Sequence, residues 1–176
     1  MNYGEIKPVD IANGIGVRVS LFVSGCRNKC VECFNPMTWS FQYGKEYTKE
    51  TENEILSCLN KSFIEGLTIL GGEPFEPENQ EKVLELVKRV RQELPNKSIW
   101  IYSGFTFEEL IGDVKCRASL STAKEILDNI DILVDGRFEI EKKNLSLKFR
   151  GSKNQRIIDV QKTLQNNKIE LSNLNN

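Results

Sequence analysis

The amino-acid sequence predicts an α/β fold, an incomplete, TIM-like β/α barrel of parallel strands joined by crossover helices. Three observations carry that expectation. Short apolar, β-branched runs alternate with amphipathic helical stretches along most of the chain, the pattern of parallel strands with crossovers. Each predicted strand runs directly into a segment bearing glycine or cysteine, as at the strand carboxyl ends where such folds keep their functional groups. The chain has 176 residues, whereas a complete eight-fold barrel takes about 250.

Gly16–Val23 (GVRVSLFV) alternates and is rich in β-branched residues, so it reads as the first strand, with a cysteine loop immediately after it. Thr51 and Glu54 have the spacing of a capping box, and Ile55, Leu56, Leu59 and Phe63 recur at helical intervals, predicting a helix to about Ser62. Leu67–Leu70 is a short buried strand that enters Gly71-Gly72-Glu73-Pro74. From Pro77 to Leu94, Val83, Leu84, Leu86, Val87, Val90 and Leu94 form one apolar stripe, which predicts an amphipathic helix. Ser98–Tyr102 is the next strand and ends at Ser103-Gly104. A helix over Ser121–Asn129 and a strand over Asp131–Val134, stopping at Asp135-Gly136-Arg137, complete the alternation. The sequence has no internal repeat and reads as one domain over residues 1–176, with a polar tail from about Gln165 that frays at its end.

Composition narrows the chemistry. Lysine and arginine number 24 against 25 acidic residues, so no overall imbalance attracts nucleic acid or an anionic membrane. No apolar run is long enough to span a bilayer, and Met1–Asp10 lacks the layout of a signal peptide. The expected location is the cytoplasm. Histidine is absent, which excludes a Ser-His-Asp triad, a Cys-His dyad and any zinc site with imidazole ligands. Five cysteines remain, three of them crowded into Cys26, Cys30 and Cys33, and such crowding favours metal or redox chemistry over a disulfide framework.

The C-x3-C-x2-C spacing is compact enough for one loop to wrap three thiolates around a single small centre. Iron-sulfur clusters commonly take four cysteines, so a three-cysteine loop leaves one iron open for a ligand. A structural zinc completed by Cys58 or Cys116 satisfies the same spacing. Cys58 sits mid-helix beside apolar Leu56 and Leu59, and both it and Cys116 also read as small buried hydrophobes. Gly-Gly-Glu-Pro alone is often only a turn, but glycines also let a ligand approach the backbone, and a carboxylate suits an ammonium group. Trp39, Trp100 and the nine phenylalanines need no role beyond packing.

A C-x3-C-x2-C loop after the first strand, followed by Gly-Gly-Glu-Pro after the second, resembles the radical S-adenosylmethionine superfamily. The resemblance implies a [4Fe-4S] cluster held by Cys26, Cys30 and Cys33, with S-adenosyl-L-methionine chelating the open iron through its amino and carboxylate groups. It also implies that Gly71, Gly72 and Glu73 line the methionine amino group, and that Ser103 and Gly104 approach the ribose. Arg137, with its bidentate fork, is assigned to the methionine carboxylate or the substrate, beside Asp135 at the same mouth. The residue before the last cysteine is often aromatic in the superfamily and here is Glu32, so Phe34, on the other side of Cys33, is expected to cover the adenine.

Three further segments resemble the glycyl-radical activase branch. They are Asp10-Ile-Ala-Asn13-Gly14-Ile-Gly16-Val-Arg18, Cys33-Phe-Asn35-Pro-Met-Thr38-Trp39 and Arg150-Gly-Ser-Lys-Asn-Gln155-Arg156. This likeness implies a partner, the large subunit of an anaerobic ribonucleoside-triphosphate reductase, on which a 5′-deoxyadenosyl radical generates a glycyl radical. It further implies a reduced flavodoxin-like electron donor. Asn13-Gly14 and Arg150–Arg156 are either docking elements for that partner or simply loops.

Overall fold

A computed structural model describes residues 1–175. Seven strands form one sheet and five α-helices pack with it. In chain order these are β1 (Asn2–Asp10), β2 (Arg18–Val23), β3 (Lys45–Glu46), α1 (Lys49–Leu59), β4 (Gly66–Gly71), α2 (Pro77–Glu93) and β5 (Ser98–Tyr102). Then come α3 (Phe107–Ile111), α4 (Ser121–Asp128), β6 (Ile132–Asp135), β7 (Arg156–Asp159) and α5 (Val160–Asn166).

The sheet order is β3-β1-β2-β4-β5-β6-β7. The inner strands β2, β4, β5 and β6 pair in parallel, because helical crossovers return each strand in the same direction. The outer pairings β1–β2, β1–β3 and β6–β7 are antiparallel. The fold is thus mixed α/β with a parallel centre, and among the described residues β3 and β7 form no ladder with each other, so the sheet is open.

Period-two alternation divides the inner strands between two faces. Val19, Leu21, Val23, Leu67, Ile69, Ile99, Ile101 and Leu133 join the main core with Ile55 and Leu59 of α1, Val83, Leu86, Val87 and Val90 of α2, and Ile126 and Leu127 of α4. The opposite face carries Phe22, Leu70, Tyr102 and Val134, which line a cavity at the strand carboxyl ends. At the other end of that face Arg18 is wholly buried. Its donors all find neutral acceptors: Nε bonds Thr68 Oγ1 at 2.7 Å, Nη1 bonds Ile15 O and Ser98 Oγ, and Nη2 bonds Leu67 O and Ser98 O. The guanidinium also lies 5.2 Å from the Trp100 ring centroid.

Several boundaries differ from expectation for local reasons. The capping box of α1 is Thr48 with Thr51, not Thr51 with Glu54: Thr51 N donates to Thr48 Oγ1 and Thr48 N to Thr51 Oγ1. The helix stops at Leu59, where the Asn60 N–H bonds back to Leu56 O, and Phe63 is exposed beyond it. β1, β3, β7, α3 and α5 were not legible. β1 mixes charges with a proline at an outer position of the sheet, and the others are too short for a periodicity to register. The tail from Gln165 is built into the fold as far as Asn175: Ile158 bridges Leu171, and the Asn175 side chain pairs with both backbone groups of Ile157.

Candidate metal and cofactor site

The cavity has a volume of about 480 Å³ and is walled by the segments that follow β2, β4, β5 and β6. Cys26, Cys30 and Cys33 all face it. The cysteine loop is pinned at its base, where Gly25 N donates to Thr38 O at 2.7 Å and Cys26 N to Trp39 O at 3.1 Å. Within it Lys29 (φ 45°) and Glu32 (φ 55°) take the left-handed conformation, which non-glycine residues adopt only when their surroundings impose it. Asn35 N points at Cys33 Sγ, 3.4 Å away. Burial, reinforced by the Glu73 carboxylate and opposed by the Asn28 and Lys29 amides, pushes the Cys26 thiol up to about 12. Burial raises Cys30 as well, against the Phe138 amide. Both thiols are therefore protonated near neutral pH without a metal, and a thiophilic cation must displace those protons to bind.

The second wall is the turn after β4. Gly71 has φ +105°, and a Cβ there would lie 2.8 Å from Phe22 Cα. A Cβ at Gly72 would lie 2.7 Å from Gly25 O. Gly71 is thus required by the close approach of β2 and Gly72 by that of the cysteine loop, to which Glu73 N is bonded through Gly25 O at 2.9 Å. Glu73 is buried at the cavity edge and accepts from four donors. Oε1 takes Phe75 N at 3.0 Å and Ser103 Oγ at 2.9 Å; Oε2 takes Gly104 N at 2.7 Å and Asn28 Nδ2 at 3.2 Å. Desolvation still raises its pKa to about 7, opposed by the Phe75, Gly104 and Ser103 bonds.

The sequence-nominated residues do not all meet here. Gly71, Gly72, Glu73, Ser103, Gly104 and Phe34 line the cavity beside the three cysteines. Phe34 is exposed at the rim, with its ring centroid 6.2 Å from that of Phe138. Glu32, Asp135 and Arg137 are not in the lining. Glu32 points to solvent and pairs with Lys143 at 3.2 Å. Asp135 is buried behind the wall, accepting from Phe107 N at 2.8 Å and Arg156 Nε at 3.0 Å. The Arg137 carbonyl accepts from Asn154 Nδ2 at 2.7 Å, which fixes the backbone of its turn.

Cys58 and Cys116 lie elsewhere, half-buried against the main core. Among the described residues no three His, Cys, Asp or Glu side chains converge closely enough to hold a single metal ion. The buried Trp39 Nε1 and Tyr102 Oη have no hydrogen-bond partner, and both residues line the cavity. Phe138, Gln155 and Arg150 also reach it. Sequence reading assigned the lining no part of the segment from Phe138 to Phe149, since it has no periodicity and folds over the cavity only through tertiary contacts.

Residues 12–158 match the family described as 4Fe-4S single cluster domain. A protein of Enterobacteria phage T4 is 43% identical, covering 89% of this chain and 93% of its own length. One from Vibrio cholerae serotype O1 is 42% identical, over 88% and 96%, and one from Escherichia coli strain K12 is 41% identical, over 88% and 96%. All three relatives bear the name anaerobic ribonucleoside-triphosphate reductase-activating protein.

Proposed function

The chain belongs to the family of anaerobic ribonucleoside-triphosphate reductase-activating proteins, with a 4Fe-4S single cluster domain, and from that premise we propose that it is a radical S-adenosylmethionine activase of such a reductase. One observation carries this reading: three thiols and the Gly71–Glu73 ledge face a single cavity, while the other two cysteines are occupied in the core. The donor set suits a cluster with one iron left free of protein thiolate. The unpartnered Trp39 Nε1 and Tyr102 Oη in the cavity wall suit an organic cofactor beside it.

In this reading Cys26, Cys30 and Cys33 hold three irons. Together the bound cluster and S-adenosylmethionine would supply one-electron cleavage of the sulfonium, giving methionine and a 5′-deoxyadenosyl radical that takes a hydrogen atom from a glycine Cα of the reductase. Glu73, oriented by Ser103 and Gly104, sets a carboxylate against the methionine ammonium. Gly71 and Gly72 seat the ledge against β2 and the cysteine loop, which puts its backbone beside that group. Phe34 and Phe138 shield the cavity mouth from water. Glu32 and Asp135 act indirectly, through their ion pairs with Lys143 and Arg156, while Arg137, whose charge reaches Cys30, is assigned to the methionine carboxylate or the substrate. The open sheet is read as a partial barrel whose missing side admits a polypeptide loop. The electron is assigned to a reduced flavodoxin-like donor and the reaction to the cytoplasm; among the described residues no helix is long and apolar enough to cross a membrane.

Anaerobically reconstituted protein is expected to be iron-rich, and its reduced cluster signal in electron paramagnetic resonance should shift on adding S-adenosylmethionine. With the reductase and a reductant, 5′-deoxyadenosine and a glycyl radical signal should form. Cys30→Ala should abolish the cluster, whereas Cys58→Ala with Cys116→Ala should retain it. A cluster signal indifferent to S-adenosylmethionine, or about one tight zinc and no iron, would overturn the reading.

A further inference from the structure

Arg27, Asn28 and Lys29 separate the first two cysteines, and the first two of these are held by buried carboxylates. Glu76 is fully buried. Its Oε1 accepts from the Arg27 backbone N–H at 2.7 Å and Arg117 Nη2 at 2.9 Å; its Oε2 accepts from Arg27 Nη1 at 2.8 Å and Arg117 Nε at 3.0 Å. Arg117 Nη2 also donates to Asn28 Oδ1 at 2.7 Å, and the other end of that amide bonds Glu73. Both guanidiniums cover aromatic rings, Arg27 on Phe41 at 4.4 Å and Arg117 on Phe105 at 4.6 Å.

The position of Glu76 makes this more than an ion pair. It is the N-cap residue of α2, where a short polar side chain ordinarily satisfies free helix N–H groups. Its side chain makes no cap bond and turns to the cysteine loop instead. Its carbonyl accepts from Asn79 N and Gln80 N, so the helix fixes its backbone. Arg117 is fixed from its own side. Cys116 packs on the core and Ala118 is buried, its carbonyl accepting from Gln80 Nε2 at 3.0 Å. A local rule broken without a local gain marks a residue held for another purpose.

We infer that Glu76 and Arg117 are positioning residues that preform the Cys26–Cys30 turn and set the direction of its thiols before any metal arrives. The bidentate Arg117 pair supplies the geometric specificity, and the clamped Arg27 and Asn28 lead directly into the left-handed Lys29. The inference rests on the reading of these thiols as cluster ligands.

Amide hydrogen exchange on the iron-free, full-length protein tests it. In the wild type the amides of residues 27–30 should be protected. Glu76→Gln keeps the shape but offers one acceptor oxygen and sets an NH2 against a guanidinium, so exchange over residues 27–30 should rise about tenfold or more while β4 and β5 are unchanged. Arg117 is one-third exposed at its side chain, so Arg117→Gln should fold and show the same local loss, and Arg117→Lys should fall between. Anaerobic cluster loading should slow in the same order. Wild-type protection over 27–30 in both variants, or a loss spread evenly through the molecule, overturns the inference; if Glu76→Gln does not fold, Arg117→Gln decides. Because exchange is read without metal, its failure is separate from that of the cluster reading, which would show as a wild type that loads no iron.

Discussion

Glu73 gathers the conflicts of this molecule in a single side chain. Four donors favour its ionised form, yet complete burial outweighs them and raises it to about 7. A carboxyl raised on folding contributes stability that is full below its unfolded value and is lost as pH climbs through the folded one. Histidine is absent, so few other side chains titrate in that window. The melting temperature of the ligand-free protein is expected to fall between about pH 5 and pH 7 and to level off above, and Glu73→Gln to flatten that slope. Thermal scans across the range decide it: parallel slopes in both proteins would remove Glu73 as the cause. A cationic ligand beside the carboxylate should restore the ionised form and lessen the loss.

Among the elements, the loop between β1 and β2 is held by Asp10 at its start, by Thr68 from β4 and by Arg18 through Ile15 O. Asp10 accepts from Ala12 N, Asn13 Nδ2 and Ser20 Oγ, and Thr68 Oγ1 donates to Asn13 O, so the loop's polar groups turn inward. Burial lowers the Arg18 pKa to about 10, which leaves the cation charged at neutral pH with no carboxylate bonded to it. Arg18→Lys offers three donors where five are in use, and should destabilise the protein by about 2–4 kcal/mol in denaturant unfolding. A change under about 0.5 kcal/mol would mean that water enters and satisfies the stranded acceptors. At α1, Thr48→Ala removes one half of the capping box and should cost about 1 kcal/mol, whereas Glu54→Ala, outside it, should cost little.

For the whole molecule, the edge strand β7 is held from outside its own sequence. β7 pairs with β6, and its outer side is covered by the segment after α5: Ser172 N donates to Ile157 O at 2.8 Å, Asn175 brackets Ile157, and Arg150 Nη2 bonds the Asn175 carbonyl. A chain ending at Asn166 should lose about 5–10 °C in melting temperature and associate through the uncovered strand edge; an unchanged melting temperature would show that this segment is incidental. The inner strands, the helices α2 and α4 and the three clustered cysteines were legible in the sequence, because their periods of two and 3.6 and their spacing are local properties. So was the ledge, since glycines at a close approach leave their mark in residue type. Glu76 and Arg117 were not, for they meet the cysteine loop across separations of 49 and 89 residues, and no local pattern records such a meeting. By itself the sequence determined which groups end each inner strand, because chain direction and side-chain alternation follow from covalent geometry. Only the tertiary structure decided which of them share a cavity, turning Asp135 behind the wall and Glu32 to solvent, because burial and ion pairing are settled by distant neighbours competing for the same donors and the same space.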